Sequence, residues 1–166
     1  IKTAIKNPDV KILNCSVDTN HQCIRTYYAR LFEAKFLSGL VAGALCKNGK
    51  IGYMADYPIC GMIANINAFA IGVKSRYFGL VNIEKDGPEN LTAVIWNWGA
   101  LYKKLVETVQ NGAWDSAGSD GVALNYWWGM SAGVVDFICS PKVPVKTKQL
   151  VEFMQHQIME GGFSPF

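Results

Sequence analysis

The stretch from Lys50 to Phe69 constrains this chain more than any other. It runs Lys-Ile-Gly-Tyr-Met-Ala-Asp-Tyr-Pro-Ile-Cys-Gly-Met-Ile-Ala-Asn-Ile-Asn-Ala-Phe, which reads as a short buried strand, a tight polar turn and the start of a helix. Ile51, Tyr53 and Met54 carry the strand pattern. Asp56-Tyr57-Pro58 makes the turn, and Pro58 suits the first helical position, where a missing N–H has no helical partner to lose. Strand–turn–helix units of this kind build parallel α/β sheets, whose ligands sit beyond the carboxyl ends of the strands. Asp56 and Tyr57 are therefore the first candidate ligand-binding residues.

The flanking sequence fits the same class. Residues 1–6 read as the tail of a helix, 10–13 as a strand and 23–28 as a second strand rich in β-branched and aromatic residues. A helix follows over 29–46, with Phe36, Leu37, Leu40, Val41, Ala44 and Leu45 at helical spacing. Gly39 and Gly43, four apart, leave one stripe of it smooth, which suits close packing against a sheet. Gly49 is available as a left-handed cap. The helix launched at Pro58 runs to about Lys74; strands are expected at 77–83 and 91–95, and a helix at 100–110 stopped by Asn111-Gly112. Residues 122–138 read as two extended pieces bent at Gly129 and Gly133, and 146–160 as a final amphipathic helix. Strands alternate with helices, so the expected fold is α/β, a Rossmann-like parallel sheet flanked by helices.

Bulk properties narrow the function. The chain has 166 residues, enough for one domain with a real core, and only 17% are charged. A net charge of +3 is too small and too dispersed to imply a nucleic-acid partner; Lys103-Lys104 and the Lys142/Lys146/Lys148 group read as solvated faces. No apolar run reaches the ~18 residues of a membrane span. The five cysteines form no C-x-x-C pair and read as small buried hydrophobes. His21 and His156 lack ligand spacing, so neither a metal nor a cofactor is implied.

Catalytic patterns are missing. Glu33, Asp56 and Asp136 are carboxylates without a pairing spacing, and no nucleophile elbow or phosphate-cradling glycine loop occurs. Asp136 lies in an apolar run and is expected to be buried, as a hydrogen-bonding hub or a ligand acceptor. The aromatic clusters are more informative. Trp96 and Trp98 flank Asn97 just before a helix, and Tyr126-Trp127-Trp128 precedes Gly129. Large aromatics stack well on flat ligands and are equally at home in cores. Trp127 and Trp128 must point to opposite faces of a strand, so at least one belongs to the core. Both readings stay open for each tryptophan.

Glu33-Ala34-Lys35-Phe36-Leu37-Ser38-Gly39-Leu40-Val41-Ala42-Gly43, followed by Gly49-Lys50-Ile51-Gly52-Tyr53, resembles the basic membrane protein family of ABC-transporter substrate-binding proteins. Phe69-Ala70-Ile71-Gly72-Val73-Lys74 is similar to that family's Phe-x-x-Gly-x-Lys helix end, and Gly129-Met130-Ser131-Ala132-Gly133-Val134 to its late Gly-x-x-x-Gly-Val segment. The resemblance spans most of the chain in order. It implies a type I periplasmic-binding-protein fold, in which two Rossmann-like lobes close on a ligand, and a non-enzymatic role in binding purine or related nucleosides. It places Asp56 and Tyr57 on the ligand loop and Trp96 and Asn97 on a strand–helix turn bordering the cleft; Trp98 and Trp127 join them as aromatic candidates.

It also implies a permease partner and a lipid-anchored location on the extracytoplasmic face of the cell membrane. The alternative is a ligand-sensing or interaction domain of a larger cytoplasmic regulatory protein. The family's second lobe is normally inserted near 74–76, where this chain runs straight on, so residues 1–166 are expected to be one lobe plus return strands, a piece of a longer protein. Intact-mass measurement of the natural protein should give a mass well above 18.3 kDa; a mass near that value contradicts the expectation.

Overall fold

The computed structural model describes residues 1–15, 24–57, 60–75, 90–116 and 125–166. In chain order the elements are α1 (Lys2–Lys6), β1 (Ile12–Cys15), β2 (Ile24–Ala29), α2 (Leu31–Leu45), α3 (Cys60–Lys74), β3 (Thr92–Trp96), α4 (Trp98–Gln110), α5 (Ala113–Ser116), β4 (Tyr126–Trp128), a 3-10 turn (Met130–Ala132), β5 (Val135–Cys139) and α6 (Val145–Met159). Strands β1, β2 and β4 form a parallel sheet in the order β1-β2-β4. An antiparallel ribbon of β3 and β5 sets Trp96 opposite Val135 and Val94 opposite Phe137. The α/β class and the parallel sheet flanked by helices are as expected.

Alternation along β2 sorts the helices between the two faces of the sheet. Arg25 and Tyr27 point to one face, where the Arg25 guanidinium lies 4.1 Å from the Trp114 ring of α5 and Tyr27 meets Trp98 and Tyr102 of α4. Arg25 also donates to the Tyr126 hydroxyl and the Trp114 carbonyl. Tyr28 points to the other face, against Gly61 at the start of α3.

Helix α2 is buried on nearly every side. Leu31, Ala34, Phe36, Leu37, Leu40 and Val41 all belong to the core, together with Leu101, Met130, Val134, Phe137 and Val151 from the surrounding elements. A helix apolar all round is one enclosed by its neighbours rather than laid on a surface, and α2 packs on α3, α6, β3 and β5. Its smooth glycine stripe faces a helix, not the sheet that the sequence suggests. A Cβ at Gly39 would overlap the Phe69 carbonyl oxygen, one at Gly43 would lie 2.7 Å from the Val73 oxygen, and one at Gly72 would overlap the Phe36 carbonyl. The α2 and α3 backbones therefore touch through three glycines, an approach that any larger residue forbids.

A second close approach ties α2 to the chain beyond β4. Glu33, only 6% exposed, accepts a 2.7 Å hydrogen bond at Oε2 from the Met130 N–H. Its carboxylate fills the space that a Cβ on Gly129 would need. Burial pushes the Glu33 carboxyl above its ordinary value, with the Met130 N–H and Arg30 pulling back only part of the way. The Glu33 helix and the glycine-rich segment at 129–134, which carry two of the family resemblances, are thus one packing unit.

Three further expectations are corrected. The strand at 51–54 does not form: residues 51–56 have no regular structure, and Met54 is 98% exposed. Among the described residues no strand lies alongside to take its backbone hydrogen bonds or cover its apolar side chains; Tyr53 alone packs, against Phe69 at 4.9 Å. Asp136 is exposed, because alternation along β5 turns Val135 and Phe137 inward instead; its Oδ1 accepts from the Phe137 N–H and from Gln155. Cys15 is exposed and Cys46 and Cys139 are only partly buried, so these three are not the core thiols expected. Pro58, the strand at 77–83 and the turn after it lie outside the described residues.

Gly39→Ala and Gly72→Ala should each lower stability by about 1–3 kcal/mol in urea denaturation, whereas Gly52→Ala, with nothing within 4 Å, should cost far less. Equal effects at all three positions would contradict the helix contact. The raised Glu33 carboxyl binds its proton more tightly folded than unfolded, so its contribution is complete below the unfolded pKa of about 4.3 and is lost as pH rises through the folded value. Glu33→Gln should therefore gain stability relative to the parent chain as pH is raised from about 4 to about 7. A stability difference that stays flat over this range contradicts the assignment.

Candidate ligand-binding site

The carboxyl end of β2 carries adjacent tyrosines, and the turn from β3 into α4 carries the Trp-Asn-Trp sequence; the fold brings the two together. Tyr28 meets Trp96 edge-on at 5.9 Å between ring centroids, and Trp96 meets Trp98 at 4.6 Å. Trp98 meets Tyr27 edge-on at 5.8 Å and lies nearly parallel to Tyr102, at 6.2 Å and 17°. These five rings pack on one another, mostly edge to face. What they offer is an aromatic platform, with Trp96 36% and Tyr102 48% exposed at its surface.

Asn97 is what sets the two tryptophans at this angle. Its side-chain oxygen accepts from the Ala100 N–H at 3.3 Å, capping α4. Its backbone N–H donates to the Val134 carbonyl at 2.8 Å, which fastens the turn to the segment held by Glu33. The Asn97 side-chain oxygen is thus committed to the helix cap. The cap keeps Trp96 at the end of β3 and Trp98 at the start of α4.

Asp56 and Tyr57 are exposed, Tyr57 by 72%. Tyr57 stands four residues before Gly61, whose Cα lies close enough to Tyr28 that an added Cβ would sit 3.0 Å from Cε1 of that ring. A four-residue span reaches at most about 14 Å, so Tyr57 lies within that distance of Gly61 in the first turn of α3. Trp127 stands at the register position of Tyr28 on the neighbouring strand β4. It is 47% exposed and meets Phe32, which in turn meets the Phe166 ring at 5.2 Å. Its neighbour Trp128 packs against the core and lies beneath Lys104, 5.6 Å from the ammonium to the ring centroid. The tandem tryptophans therefore divide as strand alternation requires, one inward and one outward, and Trp127 lies on the face of the sheet that carries Tyr28.

Three residues of the platform, Tyr27, Tyr28 and Tyr102, were not among the sequence candidates. For the first two a signal existed, since tandem tyrosines close a parallel strand, the edge at which α/β sheets present ligands. Tyr102 gave none, because a tyrosine one turn into a helix reads equally well as packing. Burial pushes the Tyr28 phenol up, and the Tyr102 hydroxyl, burial and the Cys15 thiol push the Tyr27 phenol up further. Both are neutral near pH 7. Among the described residues no group of three or more His, Cys, Asp or Glu side chains could hold a metal, and no helix is long and apolar enough to cross a membrane.

No family model matches the chain. Among curated proteins, a purine-binding protein of Brucella abortus is 24% identical over 222 aligned positions that take in 100% of this chain and 61% of the relative. A protein of Haloferax volcanii named as an ABC transporter glucose-binding protein is 24% identical over 190 positions, 80% of this chain and 47% of the relative. The chain thus spans about half to three-fifths of the length of these relatives. Among solved structures, a transcriptional activator of the comK gene from Bacillus halodurans superposes with a TM-score of 0.65 at 14% identity, over 99% of this chain and 75% of that one. An ABC transporter solute-binding protein from Conexibacter woesei superposes with a TM-score of 0.62 at 12% identity, over 98% and 73%. The fold of this chain is that of an ABC-transporter solute-binding protein, and its relatives accord with the resemblance drawn from the sequence, to the basic membrane protein family of substrate-binding proteins.

Proposed function

We propose that this chain is the ligand-binding part of an ABC-transporter substrate-binding protein, that it is not an enzyme, and that its ligand is a purine nucleoside or a close relative. The observation that carries the reading is the aromatic platform, with the exposed Trp96 and Tyr102 rings at its surface. A purine ring stacked on such a surface gains about 1–3 kcal/mol, and its polar edge needs only a few hydrogen bonds to fix its orientation. In this reading the Trp96 face takes the base, Trp98 backs it edge-on, Asp56 and Tyr57 approach from the loop before α3, and the Asn97 amide supplies a donor. The name of the Brucella relative points the same way.

An open platform is half of a site. The Brucella alignment spans 222 positions against 166 residues here, so that relative carries residues without a counterpart in this chain. This supports the reading of one lobe of a two-lobe protein, with the missing lobe inserted near Lys74 and Ser75. Closure of the second lobe over the platform would bury the ligand and present the closed form to a membrane permease. An extracytoplasmic location with a lipid anchor belongs to the same proposal.

Purine nucleosides at several times their Kd should raise the melting temperature of this chain by about 2–4 °C through binding linkage, and Trp96→Ala should abolish the rise. The absence of any shift across a panel of nucleosides at millimolar concentration contradicts the proposal.

A further inference from the structure

Glu33 is the one buried carboxylate among the described residues. Its Oε2 accepts the Met130 N–H at 2.7 Å, while the Arg30 guanidinium stands 4.0 Å from Oε1, beyond hydrogen-bond reach and half exposed. An ionised carboxylate accepts up to about four hydrogen bonds, so this one leaves water with one protein donor in return. The segment it holds is tightly wound. The Gly129 carbonyl accepts from the Ala132 and Val134 N–H groups at 3.3 and 3.2 Å, and the Met130 carbonyl from the Gly133 N–H at 2.9 Å. The Val134 carbonyl at its end accepts the Asn97 N–H at 2.8 Å, so residues 129–134 join the Glu33 carboxylate to the turn that carries Trp96 and Trp98. None of those six residues is ionisable. Around them, Lys35 lies on the opposite side of α2, Lys74 in the last turn of α3, and Lys104 over the Trp128 ring. Asp136 binds Gln155, and Lys148–Glu152 and His156–Glu160 pair along exposed α6. Among the described charged groups, Arg30 is the one that acts on Glu33.

We infer that Glu33 is a positioning residue through which ligand binding at the platform is linked to a proton: neutral Glu33 keeps residues 129–134 closed on α2 and the Trp-Asn-Trp turn held, and its ionisation loosens both. The inference rests on the stacking reading above and adds a regulation to it. A buried charge with one donor is stabilised by any arrangement that returns it to water. The half-exposed Arg30 guanidinium lies on the side toward which the carboxylate would turn. Opening the contact frees the Met130 N–H and with it the anchor of the segment that holds Asn97. A ligand that needs the held turn selects the closed arrangement. Because that arrangement binds the proton more tightly, ligand and proton each strengthen the binding of the other.

The test uses the whole chain and its Glu33→Gln variant, in which the side chain keeps its shape and an acceptor but carries no charge. Without ligand, the indole N–H resonances of Trp96 and Trp98 should shift as pH falls from about 7.5 to about 4.5 in the parent. In the variant they should stay at the positions of the parent's acid form. Calorimetric titration with adenosine in two buffers of different ionisation enthalpy should show proton uptake on binding to the parent and none in the variant. The parent should bind adenosine about three-fold more tightly near pH 5 than near pH 7, and the variant equally at both. Indole signals that do not titrate, or that titrate alike in parent and variant as a His156 origin would require, overturn the inference; so does proton release, or no proton exchange, on binding. If the variant does not fold, the parent's proton exchange alone decides. If adenosine does not bind and the indole titration is still lost in the variant, the link from Glu33 to the turn stands and the nucleoside reading is what fails.

Discussion

The backbone contact between α2 and α3 is the constraint on which the rest of this structure depends. Gly39, Gly43 and Gly72 let two helices approach until carbonyl oxygens occupy the space where Cβ atoms would stand. Such proximity gains dispersion contacts along the whole crossing and tolerates no added methyl group. Its consequence lies at the far end of α3. Because α2 follows directly from β2, and α3 is clamped to α2, the start of α3 is held against the Tyr28 ring at Gly61. One edge of the aromatic platform is fixed by a glycine contact that itself touches no ligand.

The other edge is fixed by Glu33. Its buried carboxylate receives the Met130 N–H and occupies the space beside Gly129, and the Val134 carbonyl a few residues on accepts the backbone N–H of Asn97. The chain of contacts runs from the first turn of α2, through the 3-10 turn, to the turn that presents Trp96 and Trp98. Burying a carboxylate costs free energy unless hydrogen bonds offset it, and the upward push on Glu33 indicates that the offset is incomplete. Order in the Trp-Asn-Trp turn is obtained partly at that cost. The platform is thus preorganised from both sides, which lowers the entropic penalty of stacking a ligand on it.

How much of this was legible in the sequence differs from element to element. Long periodic or glycine-bounded segments were readable: the helices at 29–46 and 146–160, the strand at 91–95 and the bend at Gly133, which takes a left-handed conformation at φ 70°, all formed within a few residues of expectation. The strand at 51–54 was not, since local pattern shows a strand's preference but not whether a neighbour exists to pair with it. The glycine stripe on α2 was visible, yet a stripe of missing side chains does not say whether a helix or a sheet will fill it. Of the candidate site residues, Trp96, Asn97 and Trp98 come together because they are consecutive, while Trp127 is set beside Tyr28 by the pairing of β2 with β4. The tyrosines from β2 and α4 could be joined to them only by the fold.

The central claim is that a purine ring stacks on the platform at Trp96 and Trp98. The most direct measurement follows the indole N–H resonances of the five tryptophans as a purine nucleoside is titrated into the isotope-labelled chain. The account predicts that the Trp96 and Trp98 signals move in a saturable way while that of Trp114, buried against Arg25, stays in place. Movement confined to Trp114, or no movement of any indole at saturating nucleoside, would contradict it.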